Sequence, residues 1–84
     1  MALSDEDVFE GVKQILHEAA GVPVARVRLE KSFTADLEVD SLSMYEVVMM
    51  TQERFGVDMP DEDMKSLRTV ADLVAYIQRS GVSA

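Results

Sequence analysis

Apolar residues return at helical spacing near the start of the chain and again near its end. Ser4 is followed by three acidic residues and then by apolar residues every three or four positions. This pattern is typical of a helix capped by serine, with acids at the positive end of its dipole. The apolar side of this first helix consists of Val8, Val12, Ile15, Leu16 and Ala19. We predict that the helix runs to about Ala20, where Gly21 and Pro23 end it.

The next segment, from residue 21 to about residue 40, has no sustained period and is long for a connection in so small a domain. We therefore predict an ordered, packed loop. Apolar and polar residues alternate over residues 24–29 as in a strand, but no second strand is available for pairing, so we predict a loop that can include a helical turn. The expected apolar anchors of this loop are Val22, Val24, Val27, Leu29, Phe33 and Leu37.

The second helix, predicted from about Ser41 to Phe55, has two different faces when residues are placed about 100° apart. The side expected in the core holds Met44, Val47, Val48, Thr51 and Phe55. The opposite side holds Leu42, Tyr45, Glu46, Met49 and Glu53, with Met50 at its border. A helix that is apolar on most sides is either central and buried or docked on a partner. The two glutamates favour docking, because ionised carboxylates are seldom buried without a partner.

Two shorter helices follow. Pro60 and three acidic residues mark the start of a third helix that ends at about Ser66. Thr69 and Asp72 resemble a capping box, and the last helix is expected to stop at Gly81. Its shared apolar face consists of Val70, Leu73, Val74 and Ile77. The predicted fold is all-α, a small four-helix bundle with three main helices, one short helix and a long ordered loop between helices one and two.

Length and charge limit the function. With 84 residues the chain has room for a single domain, residues 1–84, and for no second lobe that would form a cleft, so we expect no catalytic activity. Residues 36–63 contain nine acidic residues and one basic residue, and they account for the whole net charge of −8. Such a surface steers basic protein partners, the alternative being a solvated face that aids solubility. It disfavours nucleic acid as a partner.

Three features absent from the sequence bear on the cellular compartment of the protein. There is no cysteine, which fits a reducing compartment. No apolar stretch approaches the roughly 20 residues of a membrane span, and the N-terminal residues lack the pattern of a signal peptide. We expect a cytoplasmic monomer.

Two features of the sequence resemble parts of a metal site. Asp36, Glu38 and Asp40 alternate like the start of a calcium loop, but Ser41 stands where the turn glycine belongs and Val47 where the final glutamate belongs. His17 is the only histidine and has no partner typical of a metal site or a catalytic triad. We expect no metal ion, no catalytic residues and a surface position for the histidine.

Ser41 is the main candidate for chemistry. Asp and Ser are both usual capping residues, so a capping role for the serine is one interpretation. If Asp40 is the cap instead, the Ser41 hydroxyl is free in the first helical turn, where backbone N–H groups and the helix dipole favour an attached anion. Pattern alone leaves both interpretations open.

Several motifs in order resemble the acyl carrier protein family over nearly the whole chain. They are Phe33-Thr34-Ala35-Asp36-Leu37-Glu38-Val39-Asp40-Ser41-Leu42-Ser43-Met44, then Glu46-Val47-Val48, Arg54-Phe55, Met59-Pro60-Asp61 and Thr69-Val70-Ala71-Asp72-Leu73. The sequence of residues 39–44, Val-Asp-Ser-Leu-Ser-Met, is most similar to that of the free-standing carriers of fatty-acid synthesis in actinobacteria. The resemblance implies that a phosphopantetheinyl transferase attaches 4′-phosphopantetheine from coenzyme A to Ser41, between Asp40 and Leu42. Acyl intermediates would then travel as thioesters on the terminal thiol.

The resemblance also implies a docking face on helix two. Its members would be Leu42, Tyr45, Glu46, Met49, Met50 and Glu53. The expected partners are ketosynthase, acyltransferase, reductase and dehydratase enzymes with basic docking patches. Tyr45 stands where aliphatic residues are more common, and Ser43 and Gln52 stand where many relatives carry acids, so partner preference can differ. A discrete polyketide carrier is one alternative, and an unmodified helical adaptor that binds basic proteins is another.

Overall fold

Four helices form in the computed structural model, which describes residues 4–80. They are α1 (Asp5–Ala20), α2 (Ser41–Phe55), α3 (Asp61–Ser66) and α4 (Val70–Arg79). The predicted all-α fold is confirmed, with three longer helices, one short helix and a long loop between α1 and α2. The predicted stop of the last helix at Gly81 lies outside the described residues. Between residues 4 and 80, no helix has the length and apolarity that crossing a bilayer requires.

Helix α1 begins and ends as its sequence predicts. The Ser4 hydroxyl accepts a hydrogen bond from the Asp7 N–H at 3.2 Å and so caps the first turn. At the other end Gly21 adopts φ 70°, and its N–H donates to the His17 carbonyl at 3.0 Å. Glycine is needed there because a side chain would strain this left-handed conformation.

The core lies where α1 packs against both α2 and α4. Its fully buried apolar side chains include Val8, Val12, Ile15, Leu16, Phe33, Val47, Val70, Leu73 and Ile77. Gly11 faces α2, and a Cβ atom added there would lie 2.6 Å from the Cζ atom of Phe55. The absence of a side chain at Gly11 therefore allows the two helices to approach closely.

The loop between α1 and α2 is ordered and contains a one-turn 3₁₀ helix at Val24–Arg26, as the helical-turn interpretation allowed. Four predicted anchors are buried, namely Val22, Val27, Phe33 and Leu37. Two predicted anchors are wrong, since Val24 is 48% exposed and Leu29 is 44% exposed. The 3₁₀ turn places Val27 inward instead of Val24. Leu29 lines an open groove of about 590 Å³ whose other walls come from α1 and α4.

Backbone hydrogen bonds join this loop to the start of α4. The Phe33 N–H donates to the Arg68 carbonyl at 2.9 Å, and the Val70 N–H donates to the Lys31 carbonyl at 3.0 Å. Within residues 4–80 the one β pairing is an isolated bridge between Ser32 and Thr69 at this contact. The alternating residues 24–29 therefore form no strand, in agreement with the sequence analysis.

Tyr76 of α4 ties down the α3 region. Its hydroxyl lies 2.7 Å from Oδ2 of Asp63 and 3.0 Å from the carbonyl oxygen of Asp58, and it donates to these acceptors. The Asp63 carboxylate consequently raises the pKa of Tyr76. Helix α3 has no side-chain cap and no buried residue, so this contact and the packing of half-buried Met64 against the core attach α3 to the bundle. Helix α4 begins with the predicted capping box of Thr69 and Asp72.

Candidate functional site

A hydrogen-bonded turn precedes the candidate serine. The Ser32 N–H donates to Oδ2 of Asp36 at 2.8 Å, while the Ser32 hydroxyl accepts from the Asp36 N–H at 3.1 Å. From outside the turn, Nη2 of Arg26 donates to the Asp36 carbonyl at 2.7 Å. The turn is therefore fixed both by its own residues and by a side chain from the 3₁₀ helix.

The chain then runs from this turn to α2 through a left-handed residue. Leu37 and Val39 are buried on either side of Glu38, which has φ 56°. The Val39 N–H donates to the Phe33 carbonyl at 2.7 Å. Two buried side chains and one short backbone hydrogen bond thus hold Glu38 in a conformation that L-residues adopt at a cost.

Asp40 caps α2. Its Oδ1 atom accepts from the Ser43 N–H at 2.8 Å, and its carbonyl accepts from the Met44 N–H at 2.8 Å. The hydrogen bond from the Ser43 N–H, followed by one from the Ser43 hydroxyl, lowers the pKa of Asp40. The carboxylate is therefore ionised at neutral pH. Of the two interpretations that the sequence left open, the structure has Asp40 and not Ser41 as the cap.

Ser41 is consequently the first residue of α2 and is exposed to solvent. Its hydroxyl is a primary alcohol that the cap does not use, at the end of a helix whose dipole favours negative charge. An ester to phosphate at this oxygen would leave the hydrogen bond between Asp40 and Ser43 intact. The residues present therefore fit a covalently attached phosphodiester.

The side of α2 predicted to face away from the core does so. We call this surface the exposed α2 face; it consists of Leu42, Tyr45, Glu46, Met49 and Glu53. Leu42 is 79% exposed, Tyr45 53% and Met49 45%. Met50 is half-buried at the border and packs against the core. On the opposite side Val47, Val48, Thr51 and Phe55 are buried as predicted, whereas Met44 is only half-buried.

Basic side chains neutralise little of the negative charge of segment 36–63. Of the nine acidic residues in segment 36–63, all are exposed except Asp63, which is half-buried. Among the described residues the single ion pair joins Lys13 and Glu10, within α1. The charge of the acidic segment is therefore available to a partner, and the segment includes the whole of α2.

The metal-site alternatives find no geometric support. The carboxylates of Asp36 and Asp40 are both directed to backbone N–H groups of their own segment. His17 is exposed, with Nδ1 at 3.1 Å from the carbonyl oxygen of Val22. Over residues 4–80, no group of three or more potential ligands is placed to hold a metal ion.

Three features of the site were missed from sequence. Val39 is a buried anchor, and its position two residues after Leu37 was the available signal. The hydrogen bond from Arg26 to Asp36 spans ten positions and leaves no local signal. The left-handed conformation of Glu38 was also unexpected, because glycine or asparagine is usual at such a position.

Comparison with known proteins agrees with this geometry. Residues 10–77 match the family described as "Phosphopantetheine attachment site", a range that includes Ser41. The chain is 54% identical to an acyl carrier protein of Acidothermus cellulolyticus over 84 residues, all of both chains. It is 48% identical to an acyl carrier protein of Thermobifida fusca over 79 residues, 94% of this chain and 100% of the relative. It is also 47% identical to the meromycolate extension acyl carrier protein of Mycolicibacterium smegmatis, over 94% of this chain and 80% of the relative.

Proposed function

The chain belongs to the acyl carrier proteins and contains their phosphopantetheine attachment domain, and from this premise we propose that Ser41 is the residue that carries 4′-phosphopantetheine. The observation that carries the proposal is the division of roles at the start of α2. Asp40 makes the capping hydrogen bond to Ser43, and the neighbouring Ser41 hydroxyl remains exposed.

The transfer requires a nucleophilic hydroxyl that another protein can reach. The Ser41 oxygen forms a bond to the phosphorus on the pantetheine side of coenzyme A, the bond to the second phosphate breaks, and the nucleotide half leaves with that phosphate. The hydroxyl proton passes to a base of the transferase. The bound group supplies the thiol on which acyl chains are carried as thioesters, which the cysteine-free chain does not itself provide.

We propose that partner enzymes bind the exposed α2 face. Leu42, Tyr45 and Met49 offer apolar contacts, with Met50 at the border of this surface. Glu46 and Glu53 lie exposed beside them and attract basic residues of the partner. The phosphopantetheinyl transferase, ketosynthase, acyltransferase, reductase and dehydratase enzymes would then approach Ser41 from the same side.

The proposed role is delivery of acyl chains in fatty-acid synthesis by one domain that has no catalytic activity of its own. A relative whose name specifies meromycolate extension supports chain extension over a polyketide role. Family membership also speaks against the unmodified adaptor, because the matched family is defined by its attached group. We propose a monomer that works in the cytoplasm.

Attachment is tested by intact-mass measurement. The unmodified protein is incubated with coenzyme A and a phosphopantetheinyl transferase, together with Ser41→Ala and Ser43→Ala. We expect the wild type and Ser43→Ala to gain the mass of one phosphopantetheine and Ser41→Ala to gain none. Ser43→Ala is the matched control because it removes a hydroxyl two residues away and keeps the N–H that Asp40 accepts. A mass gain by Ser41→Ala would refute the assignment.

Docking is tested by charge reversal on and off the exposed α2 face. Glu46→Lys should raise the KM of the transferase for this protein roughly fivefold, as expected for about 1 kcal/mol of lost encounter energy. Glu18→Lys makes the same change in net charge at an exposed position of α1 and should leave KM within about twofold of wild type. Equal effects of the two variants would mean that only total charge matters and would contradict a local docking face.

A further inference from the structure

We propose that Arg26 is a positioning residue for the transfer reaction at Ser41. Its guanidinium group holds the Asp36 carbonyl and thereby supports the strained backbone at Glu38, which leads to the serine. The inference rests on the proposed attachment at Ser41. Arg26 belongs to the 3₁₀ helix in the first half of the loop, fifteen positions before the serine, and has no place on the exposed α2 face.

Strain at Glu38 is the first step of the argument. Glu38 has φ 56°, in the left-handed region, although it is not glycine. Its side chain is exposed, so side-chain burial does not offset the cost of this conformation. A strained residue of this kind persists only where its surroundings hold it. Contacts on both sides of Glu38 must therefore fix the backbone conformation.

After Glu38 the chain is held by a backbone hydrogen bond and by buried side chains. The Val39 N–H donates to the Phe33 carbonyl at 2.7 Å, and both side chains are buried. These contacts fix the chain one residue after Glu38. They do not by themselves determine how the chain enters the left-handed residue from the Asp36 side.

Before Glu38 the chain is held by Leu37, which is buried and whose N–H donates to the Ser32 carbonyl at 3.1 Å, and by Arg26. Nη2 of Arg26 donates to the Asp36 carbonyl at 2.7 Å, and a cationic donor makes a stronger hydrogen bond than a neutral one. The internal hydrogen bonds between Ser32 and Asp36 shape the turn, whereas Arg26 joins the turn to the 3₁₀ helix, which itself contacts α1. Arg26 thus connects the chain on the Asp36 side of Glu38 to the body of the protein.

The direction of the chain at Glu38 decides where Ser41 points. Asp40 must reach the Ser43 N–H to cap α2, and Ser41 is the next residue along. If the Asp36 carbonyl is released, Glu38 can relax toward negative φ and displace the first turn of α2. Small displacements of a nucleophile slow a transfer strongly, because the reacting atoms must be closely aligned. Tyr45, Glu46, Met49 and Glu53 lie beyond this first turn and keep their positions, so kcat should fall while KM is largely preserved.

The test measures kcat and KM of a phosphopantetheinyl transferase for the unmodified protein and three variants. We expect Arg26→Ala to lower kcat about three- to tenfold, with KM within about twofold of wild type. Arg26→Lys retains a cationic donor and should lose less. Arg28→Ala is the matched control, since it removes the same charge two residues away, and the exposed Arg28 side chain does not hydrogen-bond to the turn. It should behave as wild type.

A rescue experiment separates positioning from other roles. If Arg26 acts by holding the strained residue, Glu38→Gly should restore kcat in Arg26→Ala, because glycine adopts positive φ without strain. Glu38→Gln removes the same charge and keeps the strain, so it should not restore kcat.

Three results would overturn the proposal. They are wild-type kcat in Arg26→Ala, an equal loss in Arg28→Ala, and no recovery with Glu38→Gly. A rise in KM at constant kcat would also count against it, because that result identifies a docking residue. Circular dichroism monitors folding, and Arg26→Lys replaces Arg26→Ala in all comparisons if the alanine variant unfolds. A wild-type protein that gains no mass would instead refute the attachment at Ser41 itself.

Discussion

Replacing Glu38 by glycine should stabilise this protein. Glu38 is the one described non-glycine residue with positive φ, at 56°, and its side chain is exposed. The substitution therefore removes backbone strain and sacrifices no buried contact. It is a direct test of whether the loop before Ser41 is held in a conformation that its own sequence disfavours.

The expected size follows from two opposing terms. Left-handed backbone costs an L-residue about 1–2 kcal/mol, which glycine avoids. Glycine in turn loses more chain entropy on folding, about 0.5–1 kcal/mol relative to alanine. The net gain should be about 0.5–1 kcal/mol. For a domain of this size that corresponds to a rise in Tm of roughly 2–8 °C.

Thermal unfolding followed by circular dichroism measures the effect, and three other variants serve as controls. Glu38→Gln removes the same charge and keeps the strain, so it isolates the contribution of acid repulsion. Gly21→Ala and Gly56→Ala are the reverse experiment at φ 70° and 66°, where an added Cβ atom meets nothing within 4 Å. Both should lower Tm through backbone strain alone.

The reasoning fails if Glu38→Gly melts at or below the wild-type temperature, or if Glu38→Gln gives the same increase. In the first case the left-handed conformation would carry no cost. In the second case the stabilisation would come from charge. Unchanged Tm values for Gly21→Ala and Gly56→Ala would show that strain at positive φ is not measurable in this fold.

Three further changes have defined outcomes. Hydrogen bonds from the Arg68 N–H and then the Thr69 N–H lower the pKa of Asp72. The stability that the ionised Asp72 contributes is therefore present above about pH 4 and is lost as pH falls through the lowered pKa. Asp72→Asn should lower Tm at pH 7, and the difference in Tm from wild type should disappear at acidic pH. Tyr76→Phe removes the hydroxyl that donates to the α3 region and should speed amide exchange in α3 roughly fivefold, for about 1 kcal/mol, while α1 keeps its wild-type exchange rate. Unchanged exchange in α3 would contradict this. In Gly11→Ala the new methyl group would lie 2.6 Å from Cζ of Phe55. Overpacking should cost about 1–3 kcal/mol and exceed the gain in helix propensity of about 1 kcal/mol, so the variant should be less stable. A urea midpoint higher than that of the wild type would contradict this.

The parts of the fold predicted from sequence are those set by neighbouring residues. Ser4 before three acids, the pair Thr69 and Asp72, and the glycines that end α1 and α2 each act within one helical turn. The two faces of α2 follow in the same way from its period. The start of the last helix was predicted correctly because its capping box is complete within four residues.

Predictions failed where the answer depends on distant contacts. Val24 and Val27 are both apolar residues of the segment 24–29, and the 3₁₀ turn decides that Val27 is buried and Val24 exposed. The contact between Arg26 and Asp36 depends on how the two halves of the loop come together. Ser41 was identified from the order of motifs, whereas the geometry that exposes its hydroxyl depends on Asp40 and the turn before it.

The separation of the capping residue from the reactive residue has a consequence for turnover of the carrier. If Ser41 carries the prosthetic group as proposed, the hydrogen bond from the Ser43 N–H to the Asp40 carboxylate does not involve the esterified oxygen, so esterification leaves the cap of α2 in place. A protein that is repeatedly loaded and stripped then needs no refolding between cycles. On this proposal, the partner enzymes would all meet the same capped helix, and only the acyl chain attached to it would differ.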